Sequence, residues 1–107
     1  QLLVKLRHDP MVWPWLSNAM SHATRLGSDG YDQSFGLRQV DPHALVKQGW
    51  GHDYLVKGEP AQLNTTGFVE NGRYAVVIMV RGPHASYFDD IASMVTDVTR
   101  LALLGHR

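Results

Sequence analysis

Hydrophobic residues recur at helical spacing close to the start of the chain. One set has the spacing of a single helix face: Val12, Leu16, Ala19, Met20 and Ala23. Asp9 and Pro10 are typical of a helix start, as N-cap and first-turn residue. Pro14 interrupts the pattern, so the regular helix is predicted from there to about Thr24. The preceding residues 1–7 fit either a helix end or a short strand.

The middle of the chain has the patterns of β-strands. Strands are predicted at about 44–50, 62–70 and 73–81. Asn71-Gly72 lies between the last two and is a strong hairpin signal, because both residues tolerate a positive φ. The third strand is a nearly continuous apolar run that ends at Gly82-Pro83, so we expect it to be central and covered on both faces.

The C-terminal segment has the clearest helical pattern, at about 86–104. Ser86 followed by Asp89 resembles a capping box, and Gly105 suits the C-terminal cap. The expected buried stripe is Phe88, Ile91, Val95, Val98 and Ala102.

These elements predict an α+β fold in which a long C-terminal helix packs on an antiparallel sheet and a second helix lies near the N-terminus. Residues 25–43 are expected to be mostly irregular, with the segment 34–37 as a buried tether. The length of 107 residues fits one domain or the C-terminal portion of a larger one. A three-stranded sheet with a central apolar strand normally has further neighbours, so the domain is predicted to be incomplete.

Composition and charge narrow the possible functions. Hydrophobic residues are 44% and charged residues 19% of the chain, as in folded domains. Ten basic residues balance ten acidic ones, which argues against nucleic acid as a partner. The absence of cysteine excludes disulfides, thiolate metal sites and a cysteine nucleophile. No apolar run is long enough to cross a membrane.

The usual catalytic and binding motifs do not occur. The six histidines have no metal-ligand spacing, and no nucleotide-binding glycine pattern is present, so neither a metal nor another cofactor is predicted. No serine has a lysine three residues later, and there is no GxSxG. Three tryptophans, Trp13, Trp15 and Trp50, could stack on a sugar or a base, but in a small domain we expect them in the core.

Lys47 is a candidate binding residue because of its neighbours. Gly49 lets another chain approach the strand, and Val46 and Trp50 would bury the opposite face and fix its position. In strict alternation Gln48 would point the same way as these two residues, unless a twist or bulge at Gly49 re-aims it. A lysine on such an edge can bind a carboxylate. The alternative is a solvated edge-strand lysine that opposes aggregation.

The order of elements resembles the C-terminal part of the serine β-lactamase and penicillin-binding-protein family. There, a strand with a Lys-Thr/Ser-Gly motif is followed by two antiparallel strands and a long helix. Lys47-Gln48-Gly49 would be that motif, continued by Trp50-Gly51. LNTTGFVENGRYAVVIMV is similar to the following hairpin. Gln48 departs from the usual hydroxyl residue.

The resemblance implies a function and a site. It implies a serine hydrolase that acts on an amide, β-lactam or peptidoglycan-type substrate through an acyl-enzyme. Lys47 would be the catalytic and carboxylate-binding residue, and Gln48, Gly49 and Trp50 would contact the substrate. The nucleophile would lie in an upstream portion of a longer chain that is secreted or held in the cell envelope.

Two alternatives stay open. The first is a non-catalytic cell-wall or peptide-binding module, or an inactive fragment, which Gln48 and the missing motifs favour. The second is a free-standing interaction domain, which would expose a sheet edge and should dimerise.

Overall fold

The computed structural model describes residues 2–52, 55, 57–84 and 88–106. The described part of the chain forms an α+β fold, as predicted. Its helices are α1 (Leu2–His8), α2 (Trp13–Ser21), α3 (Leu37–Val40) and α4 (Phe88–His106). Its strands are β1 (Leu45–His52), β2 (Ala61–Val69) and β3 (Tyr74–Gly82). None of the described helices is long and apolar enough to cross a bilayer.

The sheet is antiparallel with the order β1-β2-β3, so β2 is the central strand. The prediction that the third strand is central is therefore wrong. Within the described sheet β3 is an edge strand, and its side chains alternate between half-buried and exposed. Val77 and Met79, for example, are 54% and 70% exposed.

Directly opposite residues of an antiparallel sheet lie on the same face. We call the two faces inner and outer. The inner face packs against α4 through a core that includes Leu63, Ile91 and Val95. The outer face carries Lys47, Gly49, Gly51, Gln62, Asn64, Thr66, Phe68, Ala75, Val77, Met79 and Arg81. It is covered at one end, where Trp13 of α2 meets Phe68 edge-on at a ring-centroid distance of 4.8 Å.

Helix α4 buries a stripe that differs from the predicted one at its C-terminal half. Ile91 and Val95 are buried as predicted, whereas Val98 is 42% exposed and Ala102 is also exposed. Thr99 is fully buried instead, because its hydroxyl donates to the Val95 carbonyl at 2.7 Å.

Two further expectations concern the ends of α4. The helix continues through Gly105, so the predicted cap there is wrong, and Ser86 lies outside the described residues.

Near the N-terminus, Asp9 caps the turn that leads into α2, but α2 begins at Trp13 and its N-cap residue is Val12, which makes no side-chain hydrogen bond, so the predicted N-cap position is wrong. Asp9 Oδ1 accepts hydrogen bonds from the backbone N–H groups of Met11, at 2.9 Å, and Val12, at 3.1 Å. The helix ends at Ser21, three residues earlier than predicted. Residues 2–7, for which a helix and a strand both remained possible, belong to α1.

The segment before β1 is irregular apart from α3, and it contains the predicted buried tether. Phe35, Gly36 and Leu37 are buried between β2 and α4. Backbone N–H groups of this tether donate to Thr96 Oγ1, at 2.8 Å, and to Thr65 Oγ1, at 2.9 Å. The tether therefore connects the helix layer to the central strand.

The predicted hairpin joins β2 to β3. Glu70, Asn71 and Gly72 have φ angles of 51°, 57° and 84°. The Gly72 N–H donates to the Val69 carbonyl at 3.2 Å, which closes the turn. Asn and Gly both tolerate a positive φ, which is why the Asn71-Gly72 pair predicts this turn.

Candidate functional site

The four candidate residues lie consecutively on β1, but their side chains have different environments. Strand alternation sends Val46, Gln48 and Trp50 to the inner face and leaves Lys47 and Gly49 on the outer face. Val46 is buried and Lys47 is exposed. The predicted direction of Gln48, the same as that of Val46 and Trp50, is therefore correct.

Lys47 presents its ammonium group at the sheet edge. Its Nζ donates to the main-chain carbonyl of the adjacent Gln48. An ammonium group has three N–H donors, so this bond leaves two for a ligand. The ion pairs found among the described residues, such as Arg25 with Asp32 at 3.4 Å, involve other side chains. Within that part of the chain, Lys47 has no carboxylate partner.

Gln48 is an internal anchor in this structure. Its side chain is 2% exposed, and its Nε2 donates to the carbonyls of Gln33, at 3.1 Å, and Phe35, at 2.6 Å. Both N–H groups of the amide are therefore used. The Oε1 atom is buried and has no hydrogen-bond partner among the described residues. It is an acceptor only, so it cannot bind a carboxylate, and its burial keeps it from contact with solvent.

Gly49 and Gly51 keep the outer face open beside Lys47. A Cβ atom at Gly49 would be 3.5 Å from Asn64 Nδ2, and one at Gly51 would meet no described atom within 4 Å. Crowding by the described residues therefore does not require glycine at either position. Their effect is to leave the backbone of β1 accessible to another molecule.

Trp50 is held by the loop that precedes α3. Its indole N–H donates to Asp29 Oδ2 at 2.7 Å, and its ring stacks on Tyr31 with centroids 5.3 Å apart. The indole N–H and the backbone N–H of Tyr31 hold the pKa of Asp29 below its usual range. Burial is the main cause that raises the pKa of Tyr31. A Cβ at Gly27 would lie 2.4 Å from the Trp50 ring, so this glycine permits the contact.

A groove of about 620 Å³ runs between α1, α2 and β1. Its sheet side includes Lys47 and Gln48, and its helix side includes Leu3, Leu6 and Leu16. We call this cavity the groove from here on. The strand pattern identified the sheet side, but α1 and β1 are about 40 residues apart and only the folded chain brings them together.

The other candidate groups do not form a second reactive site in the described part of the chain. Ser21 Oγ lies 3.1 Å from His22 Nδ1, but this nitrogen is 2.7 Å from the Asn18 carbonyl. A nitrogen that donates to a carbonyl cannot also accept the serine proton, so His22 does not activate Ser21. Among the same residues, no three His, Asp or Glu side chains are grouped as metal ligands.

The tryptophans do not share one environment. Trp13 packs on Phe68, and the guanidinium of Arg7 lies 4.6 Å from the centroid of its ring. Trp15 is 71% exposed and lines the groove, which contradicts its expected place in the core.

Comparisons with protein-family models, with curated proteins and with solved structures found no match.

Proposed function

We propose that the chain is the C-terminal part of a β-lactamase-like serine hydrolase in which Lys47 binds the substrate carboxylate. The observation that carries this proposal is the position of Lys47: exposed, on an edge strand of the described sheet, beside an open glycine backbone. Support also comes from the order of three antiparallel strands followed by a long helix, which matches the family resemblance in the sequence.

The proposed reaction is acyl transfer. A serine oxygen supplied by another segment attacks the substrate carbonyl carbon, the carbon–nitrogen bond breaks, and the serine proton passes through a neighbouring base to the leaving nitrogen. Water then hydrolyses the ester and regenerates the serine. Lys47 attracts the carboxylate, and a backbone N–H near Gly49 and Trp50 stabilises the oxyanion. No cofactor takes part in this scheme.

The direct test is intact mass spectrometry of the protein that carries this chain, before and after incubation with a penicillin. We expect a parent mass above the 12.0 kDa of these residues and one penicillin-sized adduct. A parent of 12.0 kDa without an adduct would contradict the proposal.

The role of Lys47 is tested by substitution in the same protein. Lys47→Ala should slow acylation by about 10- to 100-fold, because a charge-assisted contact to the carboxylate is lost. Stability should not change, since the side chain is exposed. Lys57→Ala, which also removes an exposed lysine, is the control and should acylate at the wild-type rate. Loss of folding in Lys47→Ala with normal acylation of the folded fraction would make Lys47 structural.

The second candidate function is a non-catalytic binding module. It is favoured by Gln48, which replaces a hydroxyl residue and uses its amide N–H groups to hold the chain's own loop. A parent mass above that of this chain without any adduct, together with retained binding of a cell-wall peptide, would support the module over the enzyme.

A further inference from the structure

The groove has a lining that selects for a particular kind of ligand. Most of its wall is apolar and comes from the two N-terminal helices and from Val46 of β1. Its volume of about 620 Å³ is within the range of small-molecule sites, roughly 300–1,000 Å³. Trp15 is 71% exposed at this wall, so a large aromatic surface is available to a bound molecule.

The charge pattern of the lining is one-sided. Among the described residues that line the groove, Lys47 is the only Lys, Arg, Asp or Glu. The other polar groups of the wall, such as Gln48, Thr66 and His22, carry no fixed charge. His22 Nδ1 is bonded to the Asn18 carbonyl at 2.7 Å. A ligand that satisfies this wall has one negative group at Lys47 and an apolar body.

We propose that the groove binds an amphipathic organic monoanion, with its carboxylate at Lys47 and an alkyl or aryl tail between α1 and α2. The two N–H donors that Lys47 does not give to Gln48 bind the head group. The tail contacts Leu3, Leu6 and Leu16. Each methylene that leaves water should strengthen binding by about three- to fourfold.

This inference deepens the proposed function, because it rests on Lys47 as a carboxylate-binding residue and names the group attached to that carboxylate. It predicts that substrates carry an apolar side chain beside the anionic group. Its test requires neither a nucleophile nor acylation. The two proposals can therefore fail separately: the mass experiment reports on the nucleophile and the binding experiment on the groove.

The experiment is isothermal titration calorimetry of the protein that carries this chain with sodium decanoate, below the micelle concentration. Sodium octanoate tests the tail, and octan-1-ol provides a neutral molecule of similar length. We expect saturable binding of one decanoate per protein. Decanoate should bind about tenfold more tightly than octanoate, because octanoate has two methylenes fewer to remove from water. Octan-1-ol should bind more weakly than octanoate because it lacks the charge.

Matched variants locate the two ends of the ligand. Lys47→Met keeps an apolar stem and should weaken decanoate by about tenfold while leaving octan-1-ol unchanged. Lys5→Met removes an exposed charge from α1 outside the groove lining and should bind decanoate like the wild type. Leu16→Gln should weaken all three ligands.

Three results would overturn the inference: no saturable decanoate binding, equal decanoate affinity in the wild type and Lys47→Met, or an equal loss in Lys5→Met. Salt provides a measurement that does not depend on any variant folding. Raising the sodium chloride concentration should weaken decanoate but not octan-1-ol. Identical salt dependence for the two ligands would also count against the assigned head-group position.

Discussion

Gln48 shows how a single polar side chain can position a strand and a loop at once. It is almost completely buried, yet its amide N–H groups both reach backbone carbonyls of the loop before α3. Alternation along β1 was enough to predict the direction of this side chain. Its partners, Gln33 and Phe35, could not be predicted, since they lie 15 and 13 residues away in an irregular segment.

Replacing Gln48 by leucine should therefore cost about 2 kcal/mol of unfolding free energy, because the buried Phe35 carbonyl loses its amide donor and the part-buried Gln33 carbonyl keeps only the Phe35 N–H. Gln62→Leu is the control, since Gln62 is an exposed glutamine on the outer face of β2, and it should change stability by less than about 0.5 kcal/mol. Urea unfolding of both variants measures the difference. Equal stability of Gln48→Leu and the wild type would show that the loop does not depend on this amide.

At the scale of elements, the tether of residues 34–37 joins the central strand to α4. Gly36 has a φ of 58°, and a Cβ there would lie 2.6 Å from Thr65 Cβ. The neighbouring N–H groups bond to Thr65 and Thr96. The tether thus has little freedom to move away from an added methyl group.

Gly36→Ala should destabilise the fold by about 2–4 kcal/mol, from backbone strain together with overpacking. Gly30→Ala separates the two causes, because Gly30 has a φ of 84° but open space around it. It should lose only about 1 kcal/mol. Thermal or urea unfolding provides both values, and a loss in Gly36→Ala no larger than in Gly30→Ala would contradict the crowding at Thr65.

The limits of prediction at this scale have physical causes. Strand bounds agree to within about two residues, because turn residues mark them clearly. The prediction that β3 is the central strand was wrong. Residues 76–80 are all apolar, so the sequence does not reveal that one face of this strand is covered and the other open. The predicted buried stripe of α4 was wrong at Val98 and Ala102. Thr99 is buried in their place, because its hydroxyl forms a hydrogen bond within the helix.

The whole molecule is covered unevenly. The inner face of the sheet is buried under α4, whereas the outer face beyond Phe68 and the free edge of β3 are open in the described structure. Val77 and Met79 are exposed there, and Met94 and Leu101 are exposed on α4. The sequence predicts an incomplete domain from a central apolar strand, whereas the exposed large apolar side chains of the described sheet lie on the edge strand β3.

On its own, the chain should associate as its concentration rises, because a long and mostly apolar edge strand, whose one charged residue is Arg81, favours pairing with another strand. Sedimentation velocity at increasing concentration measures this. Met79→Lys on β3 should weaken association by about tenfold, whereas Met11→Lys, which changes another exposed methionine before α2, should not. A strictly monomeric wild type that unfolds cooperatively would argue against an unpaired edge.

Helix α1 has a consequence for how the groove exchanges its contents. None of the residues Leu2–His8 is buried. The helix is attached through Arg7, which donates to the Gly72 carbonyl at 3.2 Å, and through its contribution to the groove wall. Because it lacks buried residues, we expect α1 to detach at a lower cost than β2 and to fray while the sheet stays intact. The rate at which α1 detaches would then limit how fast a molecule enters and leaves the groove. The residence time of a bound ligand would depend on the stability of this seven-residue helix.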